Sequence, residues 1–186
     1  SPTTPCSSRA LLAWQSMIKS KLDDDPISQL RAVNRFANRW PSRTDEQNYL
    51  RIDHWASPLN FLQHSGDCED YAILKYVSLR LLGFDAEQLR LVIVKDVLRD
   101  AAHAVLAVNI EEQVFILDNL FQAVLPQERV TQYQPYYSVN ENARFSHLTA
   151  GGLLVAGSPQ TIPPSAVVIT PADENPVFMH RLVSAD

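Results

Sequence analysis

Gly66-Asp67-Cys68-Glu69-Asp70-Tyr71-Ala72 decides the reading of this chain, because it sets one cysteine among three carboxylates at the start of a helix. The run from Cys68 to Leu82 keeps helical character and stops at Gly83. Asp67 is a natural N-cap, and Asp70 takes the N3 position of a capping box. Cys68 then falls on the first turn, where unpaired N–H groups and the helix dipole favour a thiolate. A cysteine used only for packing would stand mid-helix and face inward. Asp67, Glu69 and Asp70 oppose the thiolate, since neighbouring negative charge raises an acid's pKa. An imidazolium or a bound cation has to offset them.

Upstream of this motif, Leu11, Leu12, Trp14, Ile18 and Leu22 recur at helical spacing and predict an amphipathic helix over residues 8–22. Asp25 and Pro26 read as N-cap and first residue of a second helix. Its stripe is Ile27, Leu30, Val33, Phe36, Ala37 and Trp40, closed by Pro41. Asp23-Asp24-Asp25 lacks the spacing of an EF-hand and reads as a charged helix–helix turn. Ser57 caps a short helix from Pro58 to about Gln63.

Past Phe84 the pattern becomes β-rich, over residues 89–95, 104–110 and 114–117, with shorter strands at 136–139 and 144–148. Glu111-Glu112 makes the tight turn between the second and third strands. Helices first and an antiparallel meander afterwards give an α+β domain over residues 8–149, its N-terminal helices packed on the sheet. Residues 150–186 are rich in Gly, Pro, Ser and Thr, with apolar islands at Val167-Val168-Ile169 and Val177-Phe178-Met179. They read as a tail able to add strands to a sheet edge.

At 186 residues, with 46% hydrophobic and 20% charged residues, the chain can bury one substantial core. A net charge of −5 argues against a nucleic-acid or anionic-membrane surface. No apolar run approaches the roughly 18 residues that span a bilayer, and composition leaves cytoplasm and export both open. Of the two cysteines, Cys6 lies in a Pro/Ser/Thr-rich start and is expected free rather than bridged to Cys68.

His103 stands at the entrance to the second strand, and Asp118 ends the third. Taken singly, the first reads as a strand-end histidine bonded to a carbonyl and the second as a turn carboxylate. The hairpin changes this. A turn near Glu111-Glu112 sets residues whose numbers sum to about 222 opposite one another, which brings His103 within cross-strand reach of Asp118. A carboxylate there fixes the imidazole tautomer and stabilises its protonated form. With the Cys68 helix packed across that end of the sheet, a Cys–His–Asp triad assembles, and its imidazolium supplies the missing positive charge.

These segments together, with Asp53-His54-Trp55-Ala56-Ser57-Pro58-Leu59 upstream and Tyr136-Tyr137-Ser138-Val139-Asn140 downstream, resemble the bacterial transglutaminase-like cysteine proteinases of the LapG type. The resemblance covers about residues 8–148. It implies a transglutaminase/papain-like fold, with Cys68 as nucleophile, His103 as general base and acid, and Asp118 orienting the histidine. It also implies calcium dependence, with Asp67, Glu69 and Asp70 holding the ion and backbone carbonyls or Asn109 available to complete its shell. A divalent cation there would neutralise the carboxylates beside the nucleophile.

The resemblance further implies a periplasmic enzyme that cuts a large surface adhesin near its N-terminus at a pair of small residues, and so disperses biofilm. It implies restraint by a membrane receptor that senses cyclic di-GMP on its cytoplasmic side. The same triad also suits acyl transfer to an amine, or amide hydrolysis of a small substrate. A reading of another class is a non-catalytic, calcium-stabilised binding module, which would have no need of a nucleophile at a helix N-terminus. Trp55 lies in a polar connector before the short helix. Core packing is its simplest role; its position also suits an anchor that enters a pocket on the inhibitory receptor.

Overall fold

The computed structural model describes residues 5–49 and 54–147, with side chains from residue 9 to residue 48 and from residue 54 onward. Asp53 and the tail at 150–186 lie outside the described residues. Among the described residues, five α-helices come first: α1 (Pro5–Lys21), α2 (Pro26–Ala37), α3 (Asp45–Tyr49), α4 (Pro58–His64) and α5 (Cys68–Leu81). Six strands follow: β1 (Leu89–Asp96), β2 (Ala101–Ile110), β3 (Gln113–Leu117), β4 (Leu125–Pro126), β5 (Tyr133–Val139) and β6 (Arg144–Ser146).

Local chemistry places the helix starts. Asp25 accepts from the Ser28 N–H at 3.0 Å with proline at the start of α2, and Ser57 does the same for Asn60 at 3.3 Å in α4. The second helix is shorter than its apolar stripe. It ends at Ala37, and Trp40 packs against the core from the loop beyond, tilted against Phe36 and Phe61. α5 stops where Gly83 takes a left-handed φ of 98° and Phe84 N–H returns to Leu79 C=O at 3.1 Å. α3 has five residues and no apolar period to announce it.

All strand pairs are antiparallel, but the sheet is not a simple meander. Its order is β4-β3-β2-β1-β5-β6, so β1 to β4 wind outward and β5 then returns to the free edge of β1. Strand alternation separates two cores. Leu89, Leu91, Ala104, Leu106 and Val108 join the helices in the main one, around Leu30, Phe61, Ile73 and Tyr76. Val92, Val94, Val105, Ala107 and Ile116 form a smaller cluster with Val130. Among the described residues, no helix is long and apolar enough to cross a membrane.

Candidate active site

α5 carries Cys68 on its first residue, behind Asp67 at the N-cap. The Asp67 backbone N–H donates to Asp70 Oδ2 at 3.4 Å, while Asp67 Oδ1 is buried without a partner. Asp70 is fully buried, and its Oδ1 also accepts from the Ala56 N–H at 2.6 Å. Gly66 permits this packing: a Cβ there would come within 2.1 Å of Asp70 Oδ2.

Cys68 is a free thiol, and the side chain of Cys6 lies outside the described residues. Its Sγ–H donates to Glu69 Oε2 at 3.1 Å. Burial pushes the thiol well above its ordinary pKa, helped by Glu69 and Asp67; the hydrogen bond from the Ala104 backbone works the other way. That bond fixes where the nucleophile candidate lies, against β2 at the residue after His103. β3 has already parted from β2 there, since their pairing ends at Leu106 and Leu117.

His103 is the third residue of β2, paired with Val94, rather than a residue at its entrance. The Glu111-Glu112 turn takes positive φ at both residues, 49° and 69°, and the register is one residue on from the expected one: Leu106 faces Leu117, not Ile116. Asp118 therefore sits just past the end of β3. It still meets the histidine, with His103 Nε2 2.9 Å from Asp118 Oδ1.

Asp118 is buried, yet it is kept ionised. Burial alone would raise its pKa; the His103 hydrogen bond and charge, the Tyr133 hydroxyl and the Leu120 N–H overcome that and hold it below the usual carboxylate value. An ionised carboxylate accepts only, so Nε2 carries the imidazole proton and Nδ1 is the basic nitrogen. Tyr133 Oη donates to Asp118 Oδ2 at 2.5 Å, and the Leu120 N–H donates to Oδ1 at 2.9 Å. From the C-cap of α2, Asn38 Nδ2 donates to the Asp118 main-chain carbonyl at 2.8 Å.

The acidic group beside the cysteine differs from the expected one. Asp67 and Glu69 are joined by Asp45 of α3, their carboxylate oxygens all within 4.8 Å of one another, and Asp70 is not part of that group. Asp70 is turned instead to the backbone of residues 56 and 67. Asn109 does not reach the site. It pairs with Val114 near the hairpin turn, six residues from His103, about 20 Å along the strand. The donor set suits a hard divalent cation: clustered carboxylates, one with an orphaned oxygen, crowded by like charge. Burial, then Glu69, Asp70 and Asp45, push Asp67 up to about 9, and Asp70 is pushed to about 7, chiefly by burial.

Trp55 is half-buried and packs against the main core. Its neighbours tie it to the acidic group. The His54 N–H donates to Asp45 Oδ2, and the Ala56 N–H to Asp70. The sequence reading missed Asp45, Tyr133 and Lys75. Lys75 is fully buried, two turns after Cys68 on the same helical face.

The family model of the bacterial transglutaminase-like cysteine proteinases matches residues 6–148. Among solved structures, LapG from Legionella pneumophila superposes with a TM-score of 0.69 at 32% identity, covering 77% of this chain and 81% of that one. Its EGTA-treated form gives 0.70 at 32% identity, covering 79% and 81%. Its calcium-bound form gives 0.69 at 30% identity, covering 81% and 87%. A comparison with curated proteins gave no match. A free cysteine opening a helix against the strand of a carboxylate-bound histidine thus agrees in fold, sequence and family model, and the chain belongs to the bacterial transglutaminase-like cysteine proteinases.

Proposed function

We propose that this chain is a calcium-dependent cysteine endopeptidase in which Cys68, His103 and Asp118 work as one unit. The observation that carries the reading is the hydrogen bond of Cys68 to the Ala104 backbone, one residue along β2 from a histidine whose Nε2 is already held by Asp118. In this scheme His103 Nδ1 takes the thiol proton as Sγ adds to the scissile carbonyl. The same proton goes to the departing amine nitrogen, leaving a thioester. Water then opens the thioester, releasing the new carboxyl end and restoring the thiol. Membership of a proteinase family favours water over an amine as the acceptor.

Asp45, Asp67 and Glu69 are the residues that would hold calcium, and the ion would neutralise the charge crowding Cys68. The relatedness to LapG, described in calcium-bound and EGTA-treated forms, supports this assignment. We extend the resemblance to biology: a periplasmic enzyme, a large surface adhesin cut in its N-terminal region, and restraint by a cyclic di-GMP receptor in the inner membrane. Trp55 is the proposed receptor contact. Its segment is bonded to Asp45 and Asp70, so a partner seated there would adjoin the acidic group.

The test is incubation with an adhesin N-terminal fragment, with calcium or with EGTA, for the wild type and Cys68→Ala. Cleavage only by the wild type in calcium is expected, and cleavage by Cys68→Ala would overturn the mechanism. Trp55→Glu should lose receptor binding while still cutting. Receptor binding at wild-type strength would remove Trp55 from that interface.

A further inference from the structure

We infer that Tyr133 is a further positioning residue, whose phenol locks the Asp118 carboxylate so that it presents the His103 ring in one orientation. The inference rests on the reading of Cys68, His103 and Asp118 as the working unit.

A carboxylate with one hydrogen-bonded oxygen can still swing about its Cβ–Cγ bond. Asp118 cannot, because both its oxygens are engaged. Oδ1 takes His103 Nε2–H and the Leu120 N–H, each at 2.9 Å, and Oδ2 takes the Tyr133 hydroxyl at 2.5 Å. The Tyr133 ring also lies against the imidazole, with centroids 5.5 Å apart and planes tilted by 51°. One side chain thus touches both the histidine and its orienting carboxylate. Phenylalanine at 133 would supply the ring contact alone. The hydroxyl stays protonated, since burial and the Asp118 hydrogen bond and charge push its pKa far above the ordinary value. It therefore acts as a fixed donor. An O–H donating to an ionised acceptor is among the stronger hydrogen bonds, and it carries directional information that packing does not.

The test needs no substrate. Iodoacetamide alkylation of Cys68, followed site by site by mass spectrometry in calcium, reports the thiol–imidazole pair directly. Tyr133→Phe should slow it about tenfold, and Asp118→Asn should slow it more. In the double variant Tyr133→Phe should add nothing to Asp118→Asn, because the hydroxyl acts only through that carboxylate. Wild-type alkylation in Tyr133→Phe, or losses that multiply in the double variant, would overturn the inference. His103→Ala separates the two levels. An unchanged alkylation rate there sinks the catalytic reading itself, whereas a slowed rate there beside a normal Tyr133→Phe sinks only the role of Tyr133. If Tyr133→Phe does not fold, 3-fluorotyrosine labelling decides. A more acidic phenol should move the His103 Nε2–H proton resonance, and an unmoved resonance would overturn the inference.

Discussion

Two carboxylate neighbourhoods of the candidate site have opposite electrostatics. At one, Asp118 is surrounded by donors from a histidine, a tyrosine and a backbone amide, and its pKa is held low. At the other, Asp45, Asp67 and Glu69 crowd one another, and Asp67 is pushed up to about 9, by burial first and then by its acidic neighbours. The first is complete within the polypeptide. The second gathers like charge, and each carboxylate disfavours ionisation of the others. A divalent cation bound there would relieve that crowding.

The completed side gives the largest expected effect. Asp118→Asn keeps the shape but misorients the histidine, and cleavage should fall by about 10⁴-fold, the loss seen when other triads receive the wrong tautomer. Activity within tenfold of wild type would show that the buried carboxylate is structural, and the contrast would collapse.

The incomplete side should answer to pH and to metal. In the chelated protein, Asp67 and Asp70 have folded pKa values of about 9 and about 7, raised from 3.8. Groups raised in this way contribute stability that is full below the unfolded value and is lost as pH climbs through the folded one. Melting in EGTA should therefore show these contributions fading from pH 4 upward, through about 7 for Asp70 and about 9 for Asp67. Calcium at a hundredfold excess over its Kd should restore ~2.7 kcal/mol and release protons. Asp67→Asn should lose the upper part of that dependence together with the calcium response. A wild type whose melting ignores both pH and calcium would leave the acidic group as a capping device.

Lys75 gives the smallest effect and belongs to the Asp118 side. Burial lowers its pKa to about 7, and the charge of Asp118 opposes that shift. Because the unfolded lysine keeps its proton to about 10.4, the burial penalty is full below pH 7 and is relieved as pH rises above it. Lys75→Met should raise stability at pH 7 by about 1 kcal/mol, the low end for replacing buried charge with an apolar chain. That advantage should vanish in alkali, and activity should fall several-fold as Asp118 loses a positive neighbour. A variant that is less stable at pH 7 would show that the amine is well solvated by the fold.

What the sequence made legible was local. Asp25-Pro26, Ser57-Pro58 and the Asp67 cap announce their helices, because each satisfies backbone groups within a few residues. The meeting of His103 with Asp118 followed from one turn, even though the register moved by a residue. What stayed hidden depends on contacts distant in sequence. Asp45 joins Asp67 through a parallel bridge between Ser42 and Gly66, backed by the Arg43 N–H to Gly66 C=O bond of 2.8 Å. No periodicity encodes that. Tyr133 was missed because its strand was read as starting at residue 136, and because nothing local says that β5 returns to β1. Lys75 did leave a signal, a charge on the inward face of α5, seven positions after Cys68.

That return of β5 bears on how the enzyme is born. On the ribosome, Cys68, His103 and Asp118 all emerge before Tyr133, and β1 keeps one edge open until β5 arrives to pair with it. A nascent chain halted at residue 130 holds the three residues of the proposed chemistry but neither the donor to Asp118 Oδ2 nor the strand that carries it. Translation order thus gives the cell an interval in which the thiol is already made and its orienting network is not.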